Sequence, residues 1–327
     1  MTGFLARNRL IVLAYVGMVA LLLVTALFSP GFLSESNLRS TVVLAAFVGI
    51  VALGQTLVII GGGIDLSVPW VLNSAAILMT LLCGGQDLPL LWVVPLILAG
   101  GAAIGLINGV GVALFGVPPI IMTLAANVIL QGLILVYTGG SPTPSAPELI
   151  KFLSVGRIGP LPVIALIWAA LTILASLLLS KAAFGRHLYA VGTSATVAEF
   201  SGVPAARTTI LTYVLSGLTA ALAGILLTGY SGQAYLGMGD AYLFTSIAAV
   251  AIGGASILGG SGHYLGTIAG ALVLTILTGL LPALNLSSGA LLVVYGAVIL
   301  LTVSIGSETF ASLWGLIFKR NSGKSGP

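Results

Sequence analysis

"STVVLAAFVGIVALGQTLVIIGGGIDLSVPWVLNSAAILMTLLCGGQ", residues 40–86, holds a single charged residue, Asp65. Arg39 and Asp87 bracket it. A chain that runs this far without charge has no water-facing surface to offer, and the rest of the sequence agrees. Of 327 residues, 58% are hydrophobic and 6% charged, and the mean hydropathy is +1.21. A soluble domain carries about 25% charge. The bilayer is therefore the main solvent. Lipid offers backbone groups no partners, so the spanning segments must be helical.

A span needs about 20 residues, and the charge-free windows can be divided accordingly. Residues 10–34, 40–64 and 66–86 hold one span each, and residues 88–147 hold two, broken at Gly116–Pro119. Residues 158–180 and 208–239 hold one each, and residues 241–307 hold three, broken near Gly259–His263 and Pro282–Gly289. The expected architecture is an all-α integral membrane protein of about ten transmembrane helices, one transmembrane domain over residues 1–327. Arg7 and Arg9 precede an apolar run from Leu10 to Phe28 that is long enough to span, so it reads as a retained first helix rather than a signal peptide.

Ten spans place both termini on one side. Arg7, Arg9, Lys181, Arg186, Arg207, Lys319, Arg320 and Lys324 then share that side, which the positive-inside rule makes cytoplasmic, against Arg39, Lys151 and Arg157 outside. The net charge of +4 thus reports orientation, not a nucleic-acid partner. Two stretches echo each other: "VIIGGGIDLSVPWVLNSAAILMTLL" and "AVAIGGASILGGSGHYLGTIAGALVLTIL" each run apolar helix, glycines, small-polar turn, apolar helix. Halves repeated in this way are common in transporters, and a possible internal repeat is part of the expectation.

Intramembrane polar groups are costly and usually face a bundle interior or a pathway. The candidates for a translocation path are Gln55, Asn73, Asn108, Asn127, Gln131 and Ser256. Amides without matching basic residues suit an uncharged, hydroxyl-rich ligand better than an anion. The plainer reading of each amide is interhelical glue. For Asp65, too, there are two readings. Asp65 or Ser67 can cap the third helix, with Pro69 in its first turn; alternatively, Asp65 is a gate at the inner mouth.

Catalytic chemistry is not indicated. "GGASILGGSG", residues 253–262, is rich in glycine but is followed by no Lys-Ser/Thr, so it is not a P-loop. There is no HExxH or GxSxG, the two histidines are His187 and His263, and the one cysteine is Cys83. Neither a metal site nor a nucleophile–base pair is expected.

The internal loop, residues 181–207, has organisation of its own. Ser194 can cap a short helix that Gly202 and Pro204 end. Val197 and Phe200 fall on one face, with Val203 at the next such step, and Glu199 is the only charge in the helix. Such a helix lacks the basic face that lipid binding prefers, so docking to a soluble partner is favoured.

The chain resembles the permease subunits of ATP-binding cassette importers for monosaccharides of the ribose/xylose/arabinose type. The stretches that carry the resemblance are "GQTLVIIGGGIDLSV" (54–68), "GLINGVGVALFGVPPIIMTLAANVILQGL" (105–133), "AVGTSATVAEFSGV" (190–203) and "SIAAVAIGGASILGGSGHYLGTIAGALVL" (246–274). The resemblance implies a multi-pass protein of the bacterial inner membrane that pairs with a second permease chain, identical or not. It also implies a periplasmic sugar-binding protein outside, cytoplasmic ATP-binding subunits inside and a monosaccharide substrate. No cofactor is expected in this chain, because ATP and Mg2+ belong to the ATPase. The ATPase-coupling contacts would be Ser194, Thr196, Glu199, Phe200, Ser201 and Gly202, and the inner gate Gly62, Gly63, Asp65 and Ser67. The family usually carries Asn, Glu and Arg where this chain has Ser194, Thr196 and Glu199, which implies a dedicated or divergent ATPase. The competing reading is an ion-coupled secondary transporter of a small polar solute. A membrane-embedded enzyme and a passive scaffold stand further back.

Overall fold

The computed structural model describes residues 9–140, 144–283, 289–290, 292–297 and 300. Helix α1 (Arg9–Phe28) leads through a 3-10 turn (Pro30–Leu33) into α2 (Glu35–Ile60), followed by α3 (Val68–Cys83), α4 (Leu90–Ala113) and α5 (Pro119–Thr138). A short helix α6 (Glu148–Val155) and a two-residue hairpin, β1 (Arg157–Ile158) with β2 (Leu161–Pro162), precede α7 (Val163–Ser180). Then come α8 (Ala183–Thr193), α9 (Ala195–Phe200), α10 (Ala205–Ser231), α11 (Ala241–Ile252) and α12 (Tyr264–Ala283). Helical backbone resumes at residues 289–290, 292–297 and 300. The protein is an all-α membrane protein.

Among the described residues, six helices are long and apolar enough to cross a bilayer: Ile11–Phe28, Glu35–Ile60, Leu90–Ala113, Pro119–Thr138, Val163–Ser180 and Ala205–Ser231. Two expected spans come out short. The window 66–86 forms a helix of 16 residues, about 24 Å long against a hydrocarbon core of about 30 Å. The first part of 241–307 forms a helix of 12 residues, and the second one of 20. The expected tenth span lies partly outside the described residues, and Arg7, Lys319, Arg320 and Lys324 lie wholly outside them.

Helices α2 and α10 form the centre. α2 is buried almost continuously from Val43 to Ile60, while α1 and α5 are largely exposed. No apolar stripe marks the inner face of either kind, because lipid is as apolar as a protein interior. The centre is held together by small residues. Gly101, Gly105 and Gly109, one turn apart along α4, meet Gly217, Tyr213 and Ile210 of α10. A methyl group on Gly105 would overlap the Tyr213 carbonyl, so the close crossing depends on these glycines. Three hydroxyl contacts tie further helices in. Thr56 Oγ1 of α2 lies 2.9 Å from Thr267 Oγ1 of α12. Trp168 Nε1 of α7 donates to the Tyr264 hydroxyl (2.8 Å), which donates to the Gly49 carbonyl (2.7 Å).

The connections gather at two ends. At one, Ala146 N donates to Gly232 O (2.8 Å) and Leu149 N to Asp87 Oδ1 (2.9 Å). At the other, Gly260 N donates to Ile60 O (2.9 Å) and the Tyr189 hydroxyl to Gly262 O (2.7 Å). The 139–162 loop and the 181–204 loop thus lie at opposite ends of the bundle. The two echoed stretches both form helix, glycine-rich break, helix, and their breaks touch at Ile60 and Gly260.

Candidate functional site

The break between α2 and α3 is where the one deeply buried carboxylate among the described residues sits. Gly62, at φ +85°, takes a left-handed turn that glycine alone adopts without strain. The chain then turns back into the bundle. Leu66 N donates to Thr123 Oγ1 of α5 (3.0 Å), and Trp70 N to Asn127 Oδ1 (3.3 Å). Asn127, not Ser67 or Asp65, thus reaches the first turn of α3. Ser67 occupies the N-cap position, but its side chain makes no capping bond.

Asp65 is almost fully buried. Its Oδ1 accepts from Ser67 N (2.9 Å) and Ser67 Oγ (2.6 Å), and its Oδ2 accepts from Ser216 Oγ (2.7 Å). Asn108 Nδ2 of α4 donates to Ser67 Oγ (2.9 Å), which extends the network to a third helix. Asp65 makes no ion pair among the described residues. Ser216 lies about 16 Å along α10 from Ala205, so Asp65, although it follows the end of α2, reaches well into the bundle. Beside it are atoms with unfilled hydrogen-bonding capacity: Asn108 Oδ1 and the Tyr213 hydroxyl, the latter packed against Gly63.

Below this network lies a cavity of about 440 Å³ whose walls include Gly61, Gly62, Gly63 and Tyr213 on one side and Ala195 and Glu199 of α9 on the other. Two sets of residues that the sequence treats separately, the inner-gate turn and the coupling helix, therefore face one space. Ser194 caps α9 by accepting from Val197 N (3.3 Å). Thr196, Glu199, Phe200, Ser201 and Gly202 are exposed, and Phe200 is 89% exposed. Val197 joins Phe200 on the open face. Val203 does not: α9 ends at Phe200, and Val203 turns inward against Val191, Ala198 and Ala205.

The backbone at this end is packed without side chains between. A methyl group on Gly192, in α8, would overlap the Ile60 carbonyl, and Gly259 lies against Gly192 O and Gly62 Cα. The coupling segment, the α2–α3 break and the 253–262 glycine stretch thus meet main chain to main chain.

The proposed path residues do not gather in this cavity. Gln55 is buried in α2 with both amide atoms unpartnered. Asn73 donates to Tyr235 O (3.0 Å) and accepts from Gly237 N (3.0 Å), holding the 232–240 segment. Asn127 and Asn108 serve the break. Gln131 and Ser256 are half-buried. Tyr213, Ser216, Thr123 and Gly192 are the residues of the site that the sequence reading misses. Their one signal is a hydroxyl or a glycine in an apolar helix, and this chain has dozens.

Among the described residues there is no group of three His, Cys, Asp or Glu side chains able to hold a metal.

The family profile described as "Branched-chain amino acid transport system / permease component" matches residues 37–303. The ribose import permease protein RbsC of Bacillus subtilis is 36% identical over 302 residues, covering 91% of this chain and 92% of that one. RbsC of Haemophilus influenzae is 31% identical over 305 residues, 92% and 93% of the two chains. The autoinducer 2 import system permease protein LsrD of Photorhabdus laumondii is 33% identical over 227 residues, 67% of this chain and 68% of that one. No solved structure matches significantly. The resemblance to permeases of monosaccharide importers therefore extends over about nine-tenths of the chain. By that coverage the chain belongs to the family of branched-chain amino acid transport system permease components.

Proposed function

We propose that this chain is the transmembrane permease subunit of an ATP-driven importer that takes a monosaccharide from a periplasmic binding protein and passes it across the bacterial inner membrane. The observation that carries the reading is the shared cavity. An exposed helix with an apolar face, α9, lines the same space as the glycine turn below Asp65, so a subunit that pulls on α9 acts directly on the turn. In this reading the 181–207 end is cytoplasmic, ten spans place both termini there, and a second permease chain completes the pathway. Separate ATP-binding subunits dock on Val197 and Phe200 and carry the ATP and Mg2+; this chain needs no cofactor. Two of the relatives described above, the RbsC permeases, are named for ribose, which makes a pentose the first sugar to test.

A second reading, an ion-coupled secondary transporter, draws support from Asp65, a buried carboxylate well inside the bundle, where coupling ions bind in that class. Its oxygens already accept three hydrogen bonds, which favours a structural latch.

The test is to purify the chain with the subunits that accompany it, reconstitute them in vesicles with the binding protein, and follow radiolabelled sugar. Uptake that requires ATP and is indifferent to a protonophore is expected. Uptake that survives without ATP and collapses with a protonophore would replace the proposal by the second reading.

A further inference from the structure

Helix α7 has two unlike faces. Trp168, Ala175 and Leu179 are buried against the bundle. Leu166, Ala170, Ile173, Leu174 and Leu177 are exposed, and their spacing of three and four residues makes them one stripe along the helix. The next residues on that stripe are Ser180 and Lys181, both exposed. The helix has 18 residues and is therefore about 27 Å long, against a hydrocarbon core of about 30 Å. Lys181 thus stands at the edge of the core, where its stem lies along apolar surface and its ammonium reaches the headgroups.

A second cation is held beside it. Arg186, in the first turn of α8, folds its guanidinium back over the end of α7, and Nη1 donates to Lys181 O (3.4 Å) and Ala182 O (3.5 Å). Its Nε and Nη2 have no hydrogen-bond partner among the described residues, and neither Arg186 nor Lys181 forms an ion pair there. Helices α7 and α8 and the two residues between them carry no acid. Two positive charges therefore close an apolar stripe. The exposed faces of α4 and α5 differ in this respect, because residues 88–147 contain no charge at all.

We propose that Lys181 and Arg186 bind the phosphate of an anionic phospholipid whose acyl chains lie along the exposed face of α7. The proposal requires α7 to face the bilayer and does not depend on the importer reading. An arginine fork matches two phosphate oxygens, and a lysine adds a mobile point charge. A zwitterionic lipid would bring its own ammonium to a place with two cations and no acid; an anionic headgroup brings none. The headgroup then sits at the start of α8, a single helix whose other end, Gly192, rests on the Ile60 carbonyl of the α2–α3 break.

The experiment equilibrates the protein, purified with the subunits that accompany it, with micelles holding phosphatidylcholine and phosphatidylglycerol in equal amounts, and counts the bound lipids by native mass spectrometry. Phosphatidylglycerol is expected to be retained in preference. Lys181→Gln should reduce that preference about fivefold, the worth of one interfacial cation, and Lys181→Arg should keep it. The Lys181 side chain makes no bond within the described residues, so the melting temperature in lipid-free detergent should be the same in all three. Arg157→Gln removes an exposed cation at the opposite end of the bundle and should leave the preference unchanged. An equal fall in Lys181→Gln and Arg157→Gln would reduce the effect to diffuse attraction and overturn the site, as would a full preference in Lys181→Gln. Leu174→Cys tests the rival occupant, a second copy of this chain. Cys83 is buried, so a disulfide-linked dimer formed through residue 174 would show that protein covers this face and would end the proposal.

Discussion

The Ser216 hydroxyl donates to Asp65 Oδ2 at 2.7 Å, joining the middle of α10 to a turn 151 residues earlier in the chain. Asp65 holds the turn's own Ser67 with its other oxygen. A hydrogen bond to a buried charged group contributes about 1.5–3 kcal/mol, and an orphaned one costs a similar amount. Asp65→Ala should therefore lower the thermal stability of the purified protein markedly. Asp65→Asn keeps one oxygen for Ser67, and the Ser216 hydroxyl can rotate to accept from the new amide, so stability should stay within about 1 kcal/mol of the unaltered protein. If Asp65 is the gate, the Asn variant expresses normally and does not transport. Full transport by that variant would leave Asp65 a structural role only.

Phe200 and Glu199 allow the two functions of α9 to be separated. Phe200 is 89% exposed and touches no core cluster, so Phe200→Ser should leave the permease folded, with its melting temperature unchanged, while reducing the ATP-binding subunit recovered on co-purification. Glu199 faces the inner cavity. Glu199→Ala should preserve assembly and reduce sugar-stimulated ATP hydrolysis. Hydrolysis and uptake at the unaltered level would remove Glu199 from the coupling path.

Gly192 tests whether the coupling segment acts on the break through the main chain. Its backbone is helical, so alanine is conformationally welcome there and raises helix propensity by about 1 kcal/mol. The added methyl group, however, meets the Ile60 carbonyl and Gly260 N, which are bonded to each other. Backbone cannot move aside as a flexible side chain can, and overpacking of this kind costs about 1–3 kcal/mol. Gly192→Ala should thus destabilise despite its better propensity, and should uncouple ATP hydrolysis from uptake. A stabilised, fully coupled variant would show that α8 and the break move independently.

Much of this arrangement is legible before any coordinates. Hydropathy finds the helices, because a charge-free window of 20 residues has few other fates in this composition. Ser194 announces α9, and a lone acid in an apolar stretch singles out Asp65. The connections between helices are not legible. Ser216, Thr267 and Tyr264 are ordinary hydroxyls within apolar runs, and each acquires meaning only from the helix that packs opposite. A hydropathy window also fails to see that α3 and α11 are short. Glycines mark residues 253–262 as a break, but residues 233–239 fall inside or beside windows read as continuous spans, and nothing in hydropathy marks them as irregular backbone. Asn73 and Asn127 are candidates for a pathway because buried amides are costly; in the structure Asn73 satisfies backbone groups of residues 235–237 and Asn127 accepts from Trp70 N in the first turn of α3.

Tyr264 gives a test of packing that is independent of transport. Its hydroxyl accepts from Trp168 Nε1 and donates to the Gly49 carbonyl, bridging α7, α12 and α2. The Trp168 ring fills the space a side chain at residue 49 would need, so Gly49 has no freedom to compensate. Tyr264→Phe removes both bonds at once and leaves a buried indole N–H without an acceptor, a loss of about 1–3 kcal/mol. Trp168→Phe removes that donor and also leaves a void where the larger ring was. Because the second change relieves the orphan created by the first, the double variant should be less destabilised than the sum of the two singles. The coupling expected between contacting groups is about 0.5–3 kcal/mol. Strict additivity in thermal or denaturant unfolding of the purified protein would mean that the bridge contributes nothing beyond its separate parts.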